Sequence, residues 1–257
     1  MKKTFLLSCL MLAAMPVMAA YTGHVYVDKN KNGVFDQSEK PLAGIKVSDG
    51  LNVVETAADG SFTLPGHERE RFIFITTPSG YKTFNRHYHK IEKKQSGYDF
   101  GLIPYSGRIR KNGSHRYIHI ADTEIFNTEN HADWVNNVRD YARNEQAAFI
   151  IHTGDICYEK GLKAHIKLMN TENMDCPVFY CIGNHDLVKG KYGEELFESI
   201  YGPVYYSFDA GNVHYVVTPM PGGDHAPGYT SDDVCRSLVE ERPGSYPPRN
   251  SCCCFQS

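Results

Sequence analysis

Two apolar runs, each ending abruptly in glycine and an acid or amide, limit this chain more than anything else in it. Ala148-Phe149-Ile150-Ile151 leads into Gly154-Asp155-Ile156-Cys157-Tyr158, and Val178-Phe179-Tyr180-Cys181-Ile182 leads into Gly183-Asn184-His185-Asp186. Short runs rich in branched and aromatic residues, bounded by turn formers, read as buried strands. A third, Tyr117-Ile118-His119-Ile120, runs into Ala121-Asp122-Thr123-Glu124. Polar groups therefore gather where the chain leaves three strands at their carboxyl ends, the edge on which open α/β sheets hold ligands. Residues 131–146 carry Trp134, Val135, Val138, Tyr141 and Ala142 at helical spacing, with Asn127-Thr128 capping the approach. Residues 160–169 and 192–200 are further helix candidates, and 205–217 form a hairpin turning at Gly211-Asn212. On apolar strands, His119 and His152 are expected to be hydrogen-bonded core histidines.

The first half has a different rhythm. Residues 22–27, 44–47, 53–56, 61–64 and 71–76 are strand-like, separated by Asn32-Gly33, Asp49-Gly50 and Asp59-Gly60. With no helical period anywhere, residues 21–105 are expected to form a small all-β sandwich. The stretch Ala58-Asp59-Gly60-Ser61-Phe62-Thr63-Leu64 resembles the hairpin of transthyretin-like and carboxypeptidase-regulatory-like sandwiches. Within this half, Asp28, Asn30, Asn32, Asp36 and Glu39 fall at positions 1, 3, 5, 9 and 12 of a calcium loop, with Gly33 at position 6. A hairpin loop rich in Asn and Gly satisfies the same pattern without an ion. Residues 106–116 form a basic linker.

The amino end, residues 1–20, reads as a secretory signal: Lys2-Lys3, an apolar run, then Ala19 and Ala20. No later stretch reaches the roughly 20 apolar residues of a membrane helix, so an exported chain, periplasmic or secreted, is expected. Net charge is only -3 and no dense Lys/Arg block follows the signal, which leaves no footprint for nucleic acid. Among the eight cysteines, Cys157, Cys176, Cys181 and Cys235 are scattered and Cys252-Cys253-Cys254 are consecutive. That spacing suits neither a zinc knuckle nor a disulfide framework. Cys176 and Cys181 are read as two buried thiols, with a bridge between them as the alternative.

Asp122-Thr123-Glu124, Gly154-Asp155 and Gly183-Asn184-His185-Asp186, in this order and at these separations, resemble the calcineurin-like metallophosphoesterase superfamily. The match takes in residues 117–231, and the preceding sandwich resembles its secreted members. The resemblance implies an α/β fold, a metallophosphoesterase β-sandwich flanked by helices, over residues 117–235. It also implies two divalent ions (Mn, Fe, Zn or Mg) and hydrolysis of phosphate mono- or diesters, on a small-molecule or surface substrate. Asp155 would bridge the ions, Asp122 and Glu124 would serve the first and Asn184 the second. His185 would act as acid or as transition-state stabiliser, positioned by Asp186.

There are departures. Glu124 stands where the family usually has histidine, a change that either favours harder ions such as manganese or magnesium or leaves the first site incomplete. The family's three later histidines have no counterpart: His214 lies inside the hairpin and His225 in a Gly-Pro loop. Residues 236–257 do not look like a domain. Read one nucleotide on, their codons permit Trp-Leu-Lys-Asn-Asp-Leu and then Val-Val-Val-Phe-Asn-His, a helix and a strand ending in histidine. The expectation is a domain truncated by a frameshift, an unpaired sheet edge and impaired turnover. The competing reading is a non-catalytic exported β-sandwich that binds a ligand or serves as structure.

Overall fold

In the computed structural model, residues 20–67, 70–95, 97–105, 108–189 and 193–218 and the backbone of 251–255 are described. Apart from Ala20, the signal segment lies outside the described residues, as do Cys235, His225 and most of residues 236–257. None of the described helices is long and apolar enough to cross a membrane.

The amino-terminal half is two β-sheets face to face. One contains β1 (Ala20–Val27), β2 (Lys40–Pro41), β5 (Ser61–Pro65), β7 (Tyr81–Thr83) and β9 (Phe100–Pro104). The other contains β3 (Lys46–Ser48), β4 (Val53–Glu55), β6 (Phe72–Ile75) and β8 (Tyr88–Lys90), in the order β4-β3-β6-β8. Alternation places Tyr21, Val25, Phe62, Leu64, Val47, Ile73, Ile75, Phe100 and Leu102 in one apolar cluster. Strands β2, β7, β8 and β9 were not anticipated, being two to five residues long with glycine, proline or charge at their ends. Of these, β9 matters most, because it runs parallel to β1 from Val25↔Phe100 to Val27↔Leu102.

The second half changes to strand and helix in alternation. It opens with β10 (Tyr117–Ile120), α1 (Ala132–Asn144), β11 (Phe149–His152), α2 (Glu159–Leu168) and β12 (Val178–Tyr180). A single 3-10 turn (Asn184–Asp186), α3 (Glu195–Tyr201) and the hairpin β13 (Tyr206–Ala210) and β14 (Val213–Val217) follow. Strands β10, β11 and β12 are parallel, with Ile120, His152 and Tyr180 level at their carboxyl ends. Val135 and Ala142 of α1 bury against Ile150 and Val178 on one face of this sheet. The other face meets the hairpin through aromatic rings: Phe208 stacks on Phe179 at 3.6 Å and on Tyr215 at 5.0 Å, edge-on to Phe149. Trp134 and Tyr141, expected on the buried face of α1, are 42% and 59% exposed. The buried stripe of the helix is narrower than its apolar spacing suggests.

Three further expectations are corrected. Ser251–Phe255, read as lying outside any domain, forms β15 parallel to β14, from Val213↔Ser251 to Val217↔Phe255. An edge strand presents a row of free backbone donors and acceptors; β14 is thus paired on both sides, and β15 takes its place as the end strand of the β13-β14-β15 order. His119 is not a core residue: it is exposed on β10, its Nε2 2.8 Å from Thr153 Oγ1. In the β10-β11-β12 order β10 is an edge strand, so its side chains meet less protein. Asn127 does not cap α1; its amide oxygen accepts from the Asn130 N–H at 2.9 Å, and His131 stands at the helix start. Cys157, Cys176 and Cys181 are buried free thiols.

The halves share a core. Phe72, Phe74 and Tyr88 bury in the same cluster as Phe197, Tyr201, Tyr205 and Phe208. The Asp209 N–H donates to the Thr77 carbonyl at 2.8 Å, and Thr76 Oγ1 lies 2.8 Å from Ser207 Oγ.

Candidate functional site

The three parallel strands end level, so the loops that leave them meet on one rim. The Asp122 N–H donates to the Gly154 carbonyl at 3.2 Å, joining the first loop to the second. The second and third loops touch backbone to backbone at Gly154 and Gly183: a Cβ on Gly183 would lie 2.1 Å from the Asp155 nitrogen. Asp122, Glu124 and Asp155 have φ of 53°, 44° and 50°. Left-handed backbone is uncommon outside glycine and tends to cluster where a site holds the chain in place.

Asp186 locks this junction. It is fully buried, and its carboxylate accepts from the N–H groups of Ile156 (2.9 Å), Cys157 (3.1 Å) and Gly183 (2.8 Å). Burial pushes its carboxyl up to about 6; the three N–H donors pull the other way and Asp155 adds to the rise. The role expected for Asp186, positioning His185, is therefore corrected. A 3-10 turn advances a third of a turn per residue, which sends the neighbouring side chains in different directions. Asp186 turns inward to brace two loops, and His185 stays at the surface.

His185 is held by other groups. Its N–H donates to Asp155 Oδ1 at 3.0 Å, its Nδ1 lies 3.5 Å from Glu124 Oε1, and its ring stacks on Tyr158 at 5.0 Å. Tyr158, 53% exposed, was not anticipated; its only signal was its place directly after the Gly154-Asp155 motif. Behind the rim, fully buried His152 accepts from the Gly154 N–H on Nδ1 at 3.3 Å. Its Nε2–H then donates to Thr123 Oγ1 at 2.9 Å, and Thr123 donates to the Ile156 carbonyl at 3.3 Å. Burial, then the neighbouring His165 and His119, hold the His152 imidazole well below its usual range. His152 is a neutral structural histidine that ties the first loop of the rim to the second. His214 pairs with Asp209 Oδ1 at 2.7 Å, away from the rim.

The fit to divalent ions is uneven. The exposed Asn184 side chain lies 3.2 Å from both oxygens of the Asp155 carboxylate, its amide N–H2 group donating to them. With the amide turned over, the Asn184 carbonyl oxygen would stand beside the Asp155 carboxylate as a second ligand for one cation. Asp122, Glu124 and Asp155 share the rim, but their carboxylates are not gathered: among the described residues only Asp49, His67 and Glu70 bring three such groups within 4.8 Å. That cluster lies in the amino-terminal half and was not foreseen, because Asp49 follows β3 while His67 and Glu70 share the connection between β5 and β6. There His67 Nε2 is 3.4 Å from Asp49 Oδ1, and Tyr21 donates to Glu70.

A comparison with the curated proteins returned no significant match. Two family models do match: N terminal of Calcineurin-like phosphoesterase over residues 29–104, and Calcineurin-like phosphoesterase over residues 115–240. Together they span both halves of the fold and all three loops of the rim. This chain belongs to the calcineurin-like phosphoesterase superfamily.

Proposed function

We propose that the protein is an exported hydrolase of phosphate mono- or diesters whose rim holds two divalent ions, manganese or magnesium before iron or zinc. The observation that carries this is the meeting of Asn184, the His185 N–H and the Asp155 carboxylate within 3.2 Å, at the level ends of parallel strands. Asp155 and Asn184 would hold one ion, and Asp122 and Glu124 would serve the other. Bound ions of this kind draw charge from a phosphoryl group and make a water nucleophilic near neutral pH. His185, steadied by Glu124 and Tyr158, stands where it can protonate or hydrogen-bond a leaving oxygen. The oxygen-rich donor set is the reason for placing manganese and magnesium first.

Turnover is expected to be weak, because the described rim supplies no imidazole beyond His185. Purified protein should cleave bis-p-nitrophenyl phosphate or p-nitrophenyl phosphate slowly, only with a divalent metal present and fastest with manganese or magnesium. Asp155→Asn should lower the rate by more than about 100-fold, beyond the loss typical of outer-shell partners. If neither ester is cleaved with any of the four metals, the reading gives way to a non-catalytic β-sandwich protein. Manganese-dependent cleavage that survives Asp155→Asn would reject the site.

A further inference from the structure

Between β1 and β2 the chain makes one loop, residues 28–39, whose oxygen-bearing side chains turn toward each other. The amides of Asn30 and Asn32 both reach Asp36 Oδ2, at 2.7 and 3.1 Å. Asp28 accepts from the N–H groups of Asn32 and Gly33 at 3.2 and 2.9 Å. Glu39 closes the loop, accepting from the N–H groups of Lys29 at 2.8 Å and Asp36 at 3.2 Å. Gly33, with φ of 72°, makes the sharp turn.

Asp28 is 1% exposed and Glu39 6%, with Asp36 half-buried beside them. None of the ion pairs among the described residues involves any of the three. Buried carboxylates are normally paired or bound to a metal, because removing them from water is otherwise costly. A separate observation points the same way. Tyr26 is fully buried and its hydroxyl has no hydrogen-bond partner among the described residues. It stands two residues before Asp28, on the same face of β1, with its ring 4.8 Å from that of Phe35 in the loop. A buried hydroxyl with no partner, beside this loop, is an exception in a native core and points to the loop as a binding place.

We propose that residues 28–39 bind one calcium ion through the side-chain oxygens of Asp28, Asn30, Asn32, Asp36 and Glu39. The donors are all oxygen, and twelve residues with up to five side-chain ligands suit the larger, less demanding shell of calcium rather than the strict octahedron of magnesium. The loop leaves a strand and not a helix, so the ion would not open a helix pair. It would fasten β1 to β2, and with them Gly33 against the Phe84 ring beyond β7.

The test uses the purified full chain, stripped with chelator. For a site of the weak extracellular class, with Kd about 0.1 mM, about 10 mM calcium should raise the unfolding temperature by roughly 5–10 °C. The same magnesium concentration should raise it far less. Asp28→Asn and Glu39→Gln, close in shape to the residues they replace, should remove the calcium shift. Terbium emission sensitised by tyrosine should appear on binding and weaken in Tyr26→Phe, which reports the loop even if the acidic variants fold poorly. The absence of both a calcium shift and sensitised terbium emission overturns the proposal. An equal shift with magnesium, or one that persists in both acidic variants, also overturns it.

Discussion

Gly183 has room for a hydrogen and nothing larger. A Cβ there would come within 2.4 Å of Asp155 Oδ1 as well as against its nitrogen, and one on Gly154 would come within 2.6 Å of the Gly183 nitrogen. These two glycines let neighbouring loops lie backbone on backbone, which is how Asn184 comes to face Asp155. Gly183→Ala should therefore force the loops apart and weaken the three N–H bonds to Asp186. The expected cost is about 1–3 kcal/mol of stability, the usual range for overpacking, measured by urea unfolding. Any manganese-dependent turnover should fall by a larger factor than stability alone explains, and a Gly183→Ala protein with full turnover would show that the loops need not touch. The glycines and the acids after them were legible because each follows an apolar run. The division of labour between His185 and Asp186 was not. It depends on a three-residue turn whose pitch leaves no pattern in a sequence.

At the scale of elements, α3 shows how a neighbour decides what a charge does. Its Glu198 and the adjoining Glu194 both reach the Arg71 guanidinium, at 2.9 and 3.2 Å, from a setting where both acids are buried. One guanidinium balances only one of them. Burial is the main reason that the Glu198 carboxyl is pushed from 4.5 up to about 7; Arg71 opposes the rise and Glu194 adds to it. The folded protein thus keeps a proton that the unfolded chain has released. The stabilisation is full below pH 4.5 and disappears as pH rises through 7. Between pH 5 and 8 stability should drop by at most about 3 kcal/mol from this group. Glu198→Gln should flatten that slope and be the more stable protein at pH 8, as urea melts at the two pH values would show. An unchanged slope would mean that Arg71 already holds Glu198 ionised. The apolar and acidic residues of α3 could be read from the sequence. Its partner could not, because Arg71 lies 123 positions earlier than Glu194 and only the folded chain brings them together.

The two halves were legible as a β-rich segment followed by a strand–helix segment, but not as one packed body, because a linker of polar and basic residues suggests separation. Arg108 of that linker instead donates to the Ala147 carbonyl at 3.0 Å, and His115 Nε2 lies 2.7 Å from the Tyr215 hydroxyl. Phe74, on β6 of the amino-terminal half, is fully buried and meets the Tyr205 ring edge-on at 5.8 Å. Gly202, φ 96°, leaves no space for a Cβ before the Tyr88 ring. With backbone bonding across the same seam at Thr77 and Asp209, neither half keeps its core if the other opens. Thermal or urea unfolding should therefore be a single transition, seen together by tyrosine fluorescence and by circular dichroism. Phe74→Ala should lower that one transition by about 3–5 kcal/mol, the usual cost of emptying a buried aromatic site. It should also weaken manganese-dependent turnover near the melting point, though Phe74 is not part of the rim. Two transitions, of which Phe74→Ala shifts only one, would mean that the seam is a contact between independent domains and that the rim forms without the sandwich.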